Sequence, residues 1–168
     1  MRSTLCGFDN TATAQGADLL VQFGPTLLVD IGFDPAFVMP DPVNGPAKPD
    51  LGIKGVHALV DTGATTSCID SDLAMSLALP IVDQAQIAGV SGARTVNMHL
   101  AQIYVPSLDF TVYGQFAAVD LAAGGQSHSA LIGRTFLRHF KMTYDGTTGQ
   151  AMIAHPDAIA LPDFTVAI

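Results

Sequence analysis

The stretch HALVDTGATTSCID, residues 57–70, places an ionisable carboxylate directly after an apolar run. Residues 58–60, Ala-Leu-Val, predict a short buried strand. Asp61 follows at once, and residues 62–64, Thr-Gly-Ala, are small enough for a tight turn. An aspartate in this position is either a solvated turn residue or a catalytic carboxylate, and the rest of the chain has to decide between the two.

Composition indicates one packed domain that is rich in strands and loops. The chain has 168 residues, of which 49% are hydrophobic and 13% charged, and this is enough to bury a core in a single domain. All 15 acidic residues are aspartate, because the sequence contains no glutamate. Asp favours caps and turns whereas Glu favours helix interiors, so this bias predicts few helices.

Charge and hydropathy exclude several classes of partner. The net charge is −8 and the seven basic residues are scattered, which predicts no nucleic-acid partner because phosphate binding needs clustered Lys and Arg. No apolar window reaches the ~18 residues of a membrane span, so we expect no membrane partner. The N-terminal sequence has no apolar core of the kind found in signal peptides, and we therefore expect a cytoplasmic location.

Neither the cysteines nor the histidines predict a metal site or a cofactor. Cys6 and Cys68 are too few for a disulfide framework, and we interpret both as free thiols. The five histidines show no paired spacing typical of metal ligands. A small buried core residue is the expected role of Cys68.

The chain divides into a flexible N-terminal arm (1–17), one domain (18–160) and a C-terminal tail (161–168). The arm is assigned because its residues are small and polar. At the start of the domain, the runs LLVQF (19–23) and TLLVDIGF (26–33) predict two strands joined by a turn.

A proline-rich segment and a glycine-tipped hairpin follow within the domain. Residues 34–50 contain five prolines, which predicts a long surface loop. Asp70 or Ser71 is suited to cap a short helix that ends before Pro80. Residues 85–102 predict a hairpin, because two strand-like segments flank the sequence Gly-Val-Ser-Gly.

The segment ALIGRTFLRHFK predicts a strand over 130–132, a break at Gly133 and a short helix over 134–141. In that helix Phe136 and Phe140 stack one turn apart. A final hairpin follows. The total of about eight strands and two short helices predicts an all-β, barrel-like domain.

Three features together resemble the aspartic proteases. The sequence LVDTGAT, residues 59–65, is similar to their active-site loop, and Gly133 in ALIGRTFL is similar to the glycine at which two apolar residues cross beneath that loop before a helix. The predicted hairpin between these two motifs has the position of the family's flap. The chain thus resembles a retropepsin-like (retroviral-type) aspartic protease, which implies a closed barrel-like retropepsin fold with one or two short helices, in a homodimer.

The resemblance implies catalysis by two aspartates that share one proton. Two carboxyl groups in contact cannot both ionise, so one can take a proton from water while the other protonates the peptide carbonyl. This chain has one complete Asp-Thr-Gly, because Asp30-Ile31-Gly32 lacks the hydroxyl residue. The resemblance therefore implies that each of two copies supplies its own Asp61.

The resemblance also assigns roles to the other motif residues. Asp61 is catalytic, and Thr62, Gly63 and Ala64 support the catalytic loop. The flap and the second motif comprise eight residues, which are Gly89, Val90, Ser91 and Gly92 in the flap and Leu131, Ile132, Gly133 and Arg134 in the second motif. An extended peptide or unfolded protein would bind beneath the flap as an added strand.

One departure and two further expectations complete the resemblance. Many viral relatives have an acidic residue directly after the Ala, placed to pair with the arginine of the second motif, whereas Thr65 stands here and leaves Arg134 without that partner.

We expect substrate pockets lined by apolar residues such as Val90, Met98 and Leu131. By the same resemblance, the tail 161–168 would supply a strand to the dimer interface.

The leading hypothesis is an aspartic endopeptidase that hydrolyses peptide bonds through a water activated by an intersubunit Asp dyad. The alternative is a non-catalytic retropepsin-like module that binds peptides or scaffolds a complex. Both fit the motifs, because fold and function are separable.

Overall fold

The described part of the computed structural model, residues 2–37, 48–89 and 92–155, contains ten strands and three short helices. The strands are β1 (Arg2–Leu5), β2 (Thr26–Gly32), β3 (Ile53–Val60), β4 (Cys68–Asp70), β5 (Ile81–Gly89), β6 (Gly92–Val105), β7 (Phe110–Val119), β8 (Ala130–Ile132), β9 (Lys141–Asp145) and β10 (Gln150–His155). The helices are α1 (Gly16–Phe23), α2 (Ser71–Ser76) and α3 (Arg134–Leu137), and a 3₁₀ turn covers Pro106–Leu108. None of the helices described is long and apolar enough to cross a membrane.

Seven of the strands form one curved sheet in the order β2-β3-β8-β4-β7-β6-β5. β2 pairs with β3 over most of its length and with β6 over residues 30–32, so the sheet folds back on itself. The remaining strands form a separate antiparallel sheet in the order β1-β10-β9. This architecture confirms the predicted all-β, barrel-like fold, while the homodimer stays a prediction.

One large cluster of buried side chains joins the two sheets. It includes Leu27 of the larger sheet and Ile153 of the smaller one. Phe136 and Phe140 stack with ring centroids 4.6 Å apart, as the sequence predicted. Phe110 packs edge-on against both rings, at 5.5 and 5.0 Å. Phe136 is almost fully buried, and burial of such a side chain contributes roughly 1.5–3 kcal/mol, so its ring anchors α3 to the main core.

The run LLVQF was predicted as a strand, and this prediction is wrong because residues 16–23 form helix α1. Leu20 is almost fully buried, whereas the next residue, Val21, is 82% exposed. In a run of five apolar residues, the spacing of hydrophobic side chains does not distinguish a strand from a short helix. The helix ends at Gly24, whose φ of 68° lies in the left-handed region that favours glycine.

The flexible arm predicted over 1–17 is also wrong for its first residues. β1 pairs with β10 in an antiparallel register that sets Arg2 opposite His155 and Leu5 opposite Met152. Cys6 follows and is only 1% exposed within the main core. The pairing partner lies far along the chain, and a local polar pattern carries no signal of it.

Asp70 caps α2, as predicted. Its Oδ1 accepts hydrogen bonds from the backbone N–H groups of Asp72 and Leu73, at 3.1 and 3.2 Å. Its Oδ2 accepts from the backbone N–H groups of Leu121 and Ala122, both at 3.0 Å. This buried carboxylate therefore joins α2 to the loop after β7, and its role is structural.

The helix predicted over 134–141 is shorter in the structure, because α3 ends at Leu137. Lys141 begins β9 instead, where it pairs with Ala154 of β10. Residues 138–140 form a turn instead of helix, and this turn leads the chain into the antiparallel pairing of the smaller sheet.

The hairpin predicted over 85–102 is present, with an earlier start on β5, at Ile81, and an earlier end of its pairing on β6, at His99. β5 and β6 pair from Ile81 to the tip, where Gly89 lies opposite Gly92. Gly92 has a φ of 108°, which favours glycine at this turn. Val90 and Ser91, which were predicted as flap residues, lie outside the described residues.

The structure describes only part of the predicted proline-rich loop 34–50. Residues 34–37 and 48–50 contain neither strand nor helix, and 38–47 lie outside the described residues. The tail 161–168 lies outside them as well, so its predicted interface strand stays a prediction.

Candidate active site

The Asp61 turn connects β3 to β4, and β8 lies between those two strands. β8 runs parallel to β3, with Leu131 beside Leu59, and antiparallel to β4, with Leu131 beside Cys68. The backbone N–H of Asp61 donates to the carbonyl oxygen of Ile132 at 2.9 Å. The first motif is thus held at the end of the strand that carries the second motif, although the two are distant in sequence.

The carboxylate of Asp61 is fixed by the backbone of its own turn. Oδ1 accepts hydrogen bonds from the N–H groups of Gly63 at 2.8 Å and Ala64 at 3.3 Å. Among the described residues, no donor reaches Oδ2. Asp61 is half-buried, and Thr62 and Gly63 at the tip of the turn are exposed. One oxygen is therefore anchored, and the other is available for chemistry or for a second chain.

Gly133 passes so close beneath the turn that a side chain would not fit. A Cβ atom built on it would lie 2.6 Å from both the carbonyl carbon and the oxygen of Thr66. Its N–H donates to the hydroxyl of the buried Ser67 at 3.0 Å. The next N–H, from Arg134, donates to the carbonyl oxygen of Ala64 at 2.9 Å. The glycine is required by steric contact between two backbones.

The side chain of Arg134 binds the outer side of the turn. Nη1 donates to the carbonyl oxygens of Thr62 at 2.8 Å and Gly63 at 3.0 Å, and Nη2 donates to the Thr65 hydroxyl at 2.8 Å. Thr65 stands where many viral relatives have the acidic partner of this arginine. In this chain Thr65 and two backbone carbonyl oxygens accept its hydrogen bonds.

A cleft of about 600 Å³ lies between the Asp61 turn and the hairpin. The turn, the sheet beneath it and the β5 arm all contribute to its lining. The lining includes Gly63, Thr66, Cys68, Ile87, Val119 and Leu131. The cleft presents mainly apolar side chains together with exposed backbone of the turn. Such a surface suits an extended peptide.

A small apolar cluster backs this cleft. Its buried members are Cys68, Val96 and Ala117, and we call it the floor cluster. Met98 and Leu131 pack against it, and Leu131 also lines the cleft. Both residues were expected to line substrate pockets, and Val90, expected there too, lies outside the described residues.

Cys68, predicted only as a small buried core residue, also lies at the candidate site. It is 7% exposed in the floor cluster and also borders the cleft. Burial raises the pKa of its thiol to about 11, and the nearby charge of Asp61 adds to this increase. A hydrogen bond with the Leu131 backbone acts in the opposite direction and lowers the pKa. The thiol is therefore protonated at neutral pH and is a poor nucleophile.

Asp30, the aspartate of the partial second motif, has a structural environment. It lies in β2, is 5% exposed, and accepts a hydrogen bond from the backbone N–H of Gly55 at 3.0 Å. It therefore anchors the β2–β3 pair.

The Asp-Thr-Gly turn connects the two strands that flank β8, and Gly133 and Arg134 follow β8 directly, which is the arrangement that the resemblance to aspartic proteases implied. A family model described as "gag-polyprotein putative aspartyl protease" matches residues 51–139, just over half of the chain. The chain belongs to this family, which confirms the predicted retropepsin-like aspartic protease resemblance.

Comparison with solved structures finds the EIAV protease complexed with the inhibitor HBY-793. The two chains share 20% sequence identity with a TM-score of 0.41, over 68% of this chain and 85% of the EIAV protease chain. No curated protein sequence matches the chain significantly.

Proposed function

We propose that this chain is an aspartic endopeptidase that acts as a homodimer, with Asp61 of each copy forming the catalytic pair. One observation carries the proposal: the chain has a single Asp-Thr-Gly turn, whose carboxylate is anchored and half-buried, and the residues that follow Asp61 and Thr62 in this turn line a peptide-sized cleft. One copy supplies only one carboxyl group, and the chemistry requires two.

The proposed reaction is the direct attack of water on a peptide bond. One Asp61 carboxylate removes a proton from water, and the resulting oxygen attacks the carbonyl carbon. The protonated Asp61 of the other copy donates its proton to the carbonyl oxygen, which gives a tetrahedral intermediate. Its collapse breaks the C–N bond with transfer of a proton to the leaving amine. Two adjacent carboxyl groups hold one proton between them because like charges in contact raise the pKa of one member.

The motif residues have proposed roles that follow from their positions. Thr62 is at the exposed tip of the turn, and in the proposed dimer its hydroxyl ties this turn to that of the second copy, as the resemblance implies. The N–H groups of Gly63 and Ala64 orient the Asp61 carboxylate. The hairpin would cover an extended peptide or unfolded segment and exclude water from the scissile bond. A cytoplasmic location stays a prediction from the sequence.

The deciding experiment compares Asp61→Asn with a matched variant, Asp72→Asn. Asp72 is an exposed aspartate on α2, so both variants remove one negative charge. The probe is an unstructured protein at about pH 4–6, the range in which a carboxyl pair can retain one proton, with fragments identified by mass spectrometry. Sedimentation at several concentrations gives the oligomeric state of each variant.

We expect Asp72→Asn to cleave as the unaltered chain does, and Asp61→Asn to form the dimer without cleaving. Cleavage retained in Asp61→Asn would refute the assignment of Asp61. A chain that binds peptides and shows no cleavage at any pH tested would favour the alternative of a non-catalytic binding or scaffolding module. A strict monomer in the presence of a pepstatin-like inhibitor would do the same.

A further inference from the structure

The hairpin is attached to the rest of the domain by a charged contact near its tip. Arg94 of β6 lies directly opposite Ile87 of β5 in the hairpin register. Its Nη2 is 2.6 Å from Oδ2 of Asp120. Asp120 comes directly after Val119, a residue of the cleft lining at the end of β7. The contact therefore connects one arm of the flap-like hairpin to the wall of the cleft.

Asp120 is held in place from its other side as well. Ser71, the first residue of α2, donates its hydroxyl to Oδ1 of Asp120 at 2.6 Å. The Ser71 hydrogen bond and the Arg94 guanidinium hold the pKa of Asp120 below its usual range. An acceptor that is already fixed and ionised loses less side-chain entropy when the long arginine pairs with it.

An apolar contact lies at the same level of the hairpin. Ile87 packs against the floor cluster of Cys68, Val96 and Ala117. Val96 belongs to the hairpin, whereas the other two belong to β4 and β7. In this structure the hairpin therefore covers Cys68, which is only 7% exposed.

We propose that Arg94 and Asp120 form a latch that keeps the hairpin closed over the cleft in the free protein, so that opening of this ion pair controls entry to the cleft. Both are positioning residues, because they act on the hairpin and not on the reacting atoms. The importance of the latch for substrate entry rests on the proposed function. The latch itself is a property of the fold and can be tested without any peptidase activity.

The thiol of Cys68 reports hairpin opening, and Cys6 provides an internal reference. Both have pKa values raised by burial to about 11, but Cys6 lies in the main core and not beneath the hairpin. The experiment alkylates the Asp61→Asn protein with N-ethylmaleimide under native conditions. Mass spectrometry then gives the rate at each cysteine separately.

Asp120→Asn and Arg94→Gln are expected to speed alkylation of Cys68 by about three- to fivefold, the size typical of a lost exposed ion pair. Cys6 should react at an unchanged rate. The charge-exchanged double variant Arg94→Asp/Asp120→Arg should return the Cys68 rate towards that of the parent. Raised salt should speed Cys68 in the parent more than in Asp120→Asn, because screening weakens an exposed pair.

Asp109→Asn is the matched control. It removes the carboxylate of another exposed ion pair, Arg2–Asp109 at 3.2 Å, beyond the opposite end of β6. Asn tolerates the left-handed backbone of this position, where φ is 46°. This variant should leave the Cys68 rate unchanged.

Unchanged Cys68 rates in Asp120→Asn and Arg94→Gln would overturn the latch. Equal acceleration of Cys6 and Cys68 would overturn it too, because that result marks opening of the whole fold. All measurements use a protein that lacks the proposed catalytic carboxylate. A failed peptidase assay would therefore leave the latch intact, and a failed latch would leave the peptidase proposal intact.

Discussion

Arg134 and Thr65 meet on the outer side of the Asp61 turn, with guanidinium Nη2 2.8 Å from the threonine hydroxyl. The same guanidinium reaches the carbonyl oxygens of Thr62 and Gly63. An arginine can hold three acceptors at once because its donors form a rigid planar fork. The second motif therefore fixes the Asp61 turn without an acidic partner, through hydrogen bonds to two carbonyl oxygens and one hydroxyl.

Replacement of Arg134 by Lys should reduce peptidase activity about tenfold, equivalent to about 1.4 kcal/mol of transition-state stabilisation. A lysine keeps the charge, but its ammonium cannot span three acceptors with the geometry of the guanidinium. The measurement is kcat/KM on an unstructured protein, with thermal unfolding followed in parallel. Arg138→Lys, at the exposed end of α3, is the control and should keep full activity. Equal activity in the two variants would contradict the role of Arg134 as a clamp.

Substitution of Gly133 by Ala should destabilise the fold by about 3 kcal/mol or more, because overpacking against rigid backbone cannot be relieved by a rotamer change. The added Cβ would meet the Thr66 carbonyl group at 2.6 Å. Urea unfolding of both variants measures the free energy. The control is Gly114→Ala in β7, where a Cβ would have nothing within 4 Å. A Gly133→Ala protein as stable as the control would show that the backbones can separate without cost.

The local chemistry of the site was predictable from sequence because it depends on neighbouring residues. Small and polar residue types are preferred at turns and helix caps. This preference predicted the Asp61 turn, a cap at Asp70 or Ser71, and the break at Gly133. Contacts between distant segments were not predictable in the same way. The pairing of Arg94 with Asp120, and the burial of Cys6, depend on strand order, and no periodicity in the sequence encodes that order.

The error at α1 has a different physical origin. Leu19, Leu20 and Val21 have side chains that are compatible with a strand, and tertiary packing selects the helix by burying Leu20 while leaving Val21 exposed. Intrinsic propensities differ by less than about 1 kcal/mol per residue. Packing of one leucine outweighs that difference, so a five-residue run cannot reveal its own secondary structure.

The imidazole of His128 should make the fold less stable in mild acid. The Thr26 hydroxyl donates to the Gly24 carbonyl oxygen at 3.0 Å, so at the 2.9 Å contact His128 Nε2 must be the donor. Nδ1 is then a bare acceptor, buried and without a partner among the described residues. Burial first, and then the charge of His57, lower the pKa of His128 below its usual value.

The unfolded chain therefore binds this proton more tightly than the folded chain. The free energy of unfolding should fall as the pH falls from about 7 towards 5, because the unfolded histidine, with a pKa of about 6.5, is protonated first. His128→Gln retains a donor for Thr26 and should flatten the pH dependence in urea unfolding. The pKa of His139 is also lowered, by burial and by Arg138 and His155, so we expect this residue to contribute part of the slope that remains. An unaltered slope in His128→Gln would contradict the assignment.

Mixing of subunits separates an intersubunit catalytic pair from a self-sufficient chain. When unaltered and Asp61→Asn chains are mixed and allowed to exchange, only dimers with two intact Asp61 residues should cleave. Activity should then follow the square of the unaltered fraction, about one quarter in an equal mixture of a symmetric dimer. Asp72→Asn, mixed in the same proportions, should leave activity unchanged because its carboxylate takes no part in the pair. A linear dependence on the unaltered fraction would show that each chain cleaves alone, and a single Asp-Thr-Gly turn would then have to be sufficient for the reaction.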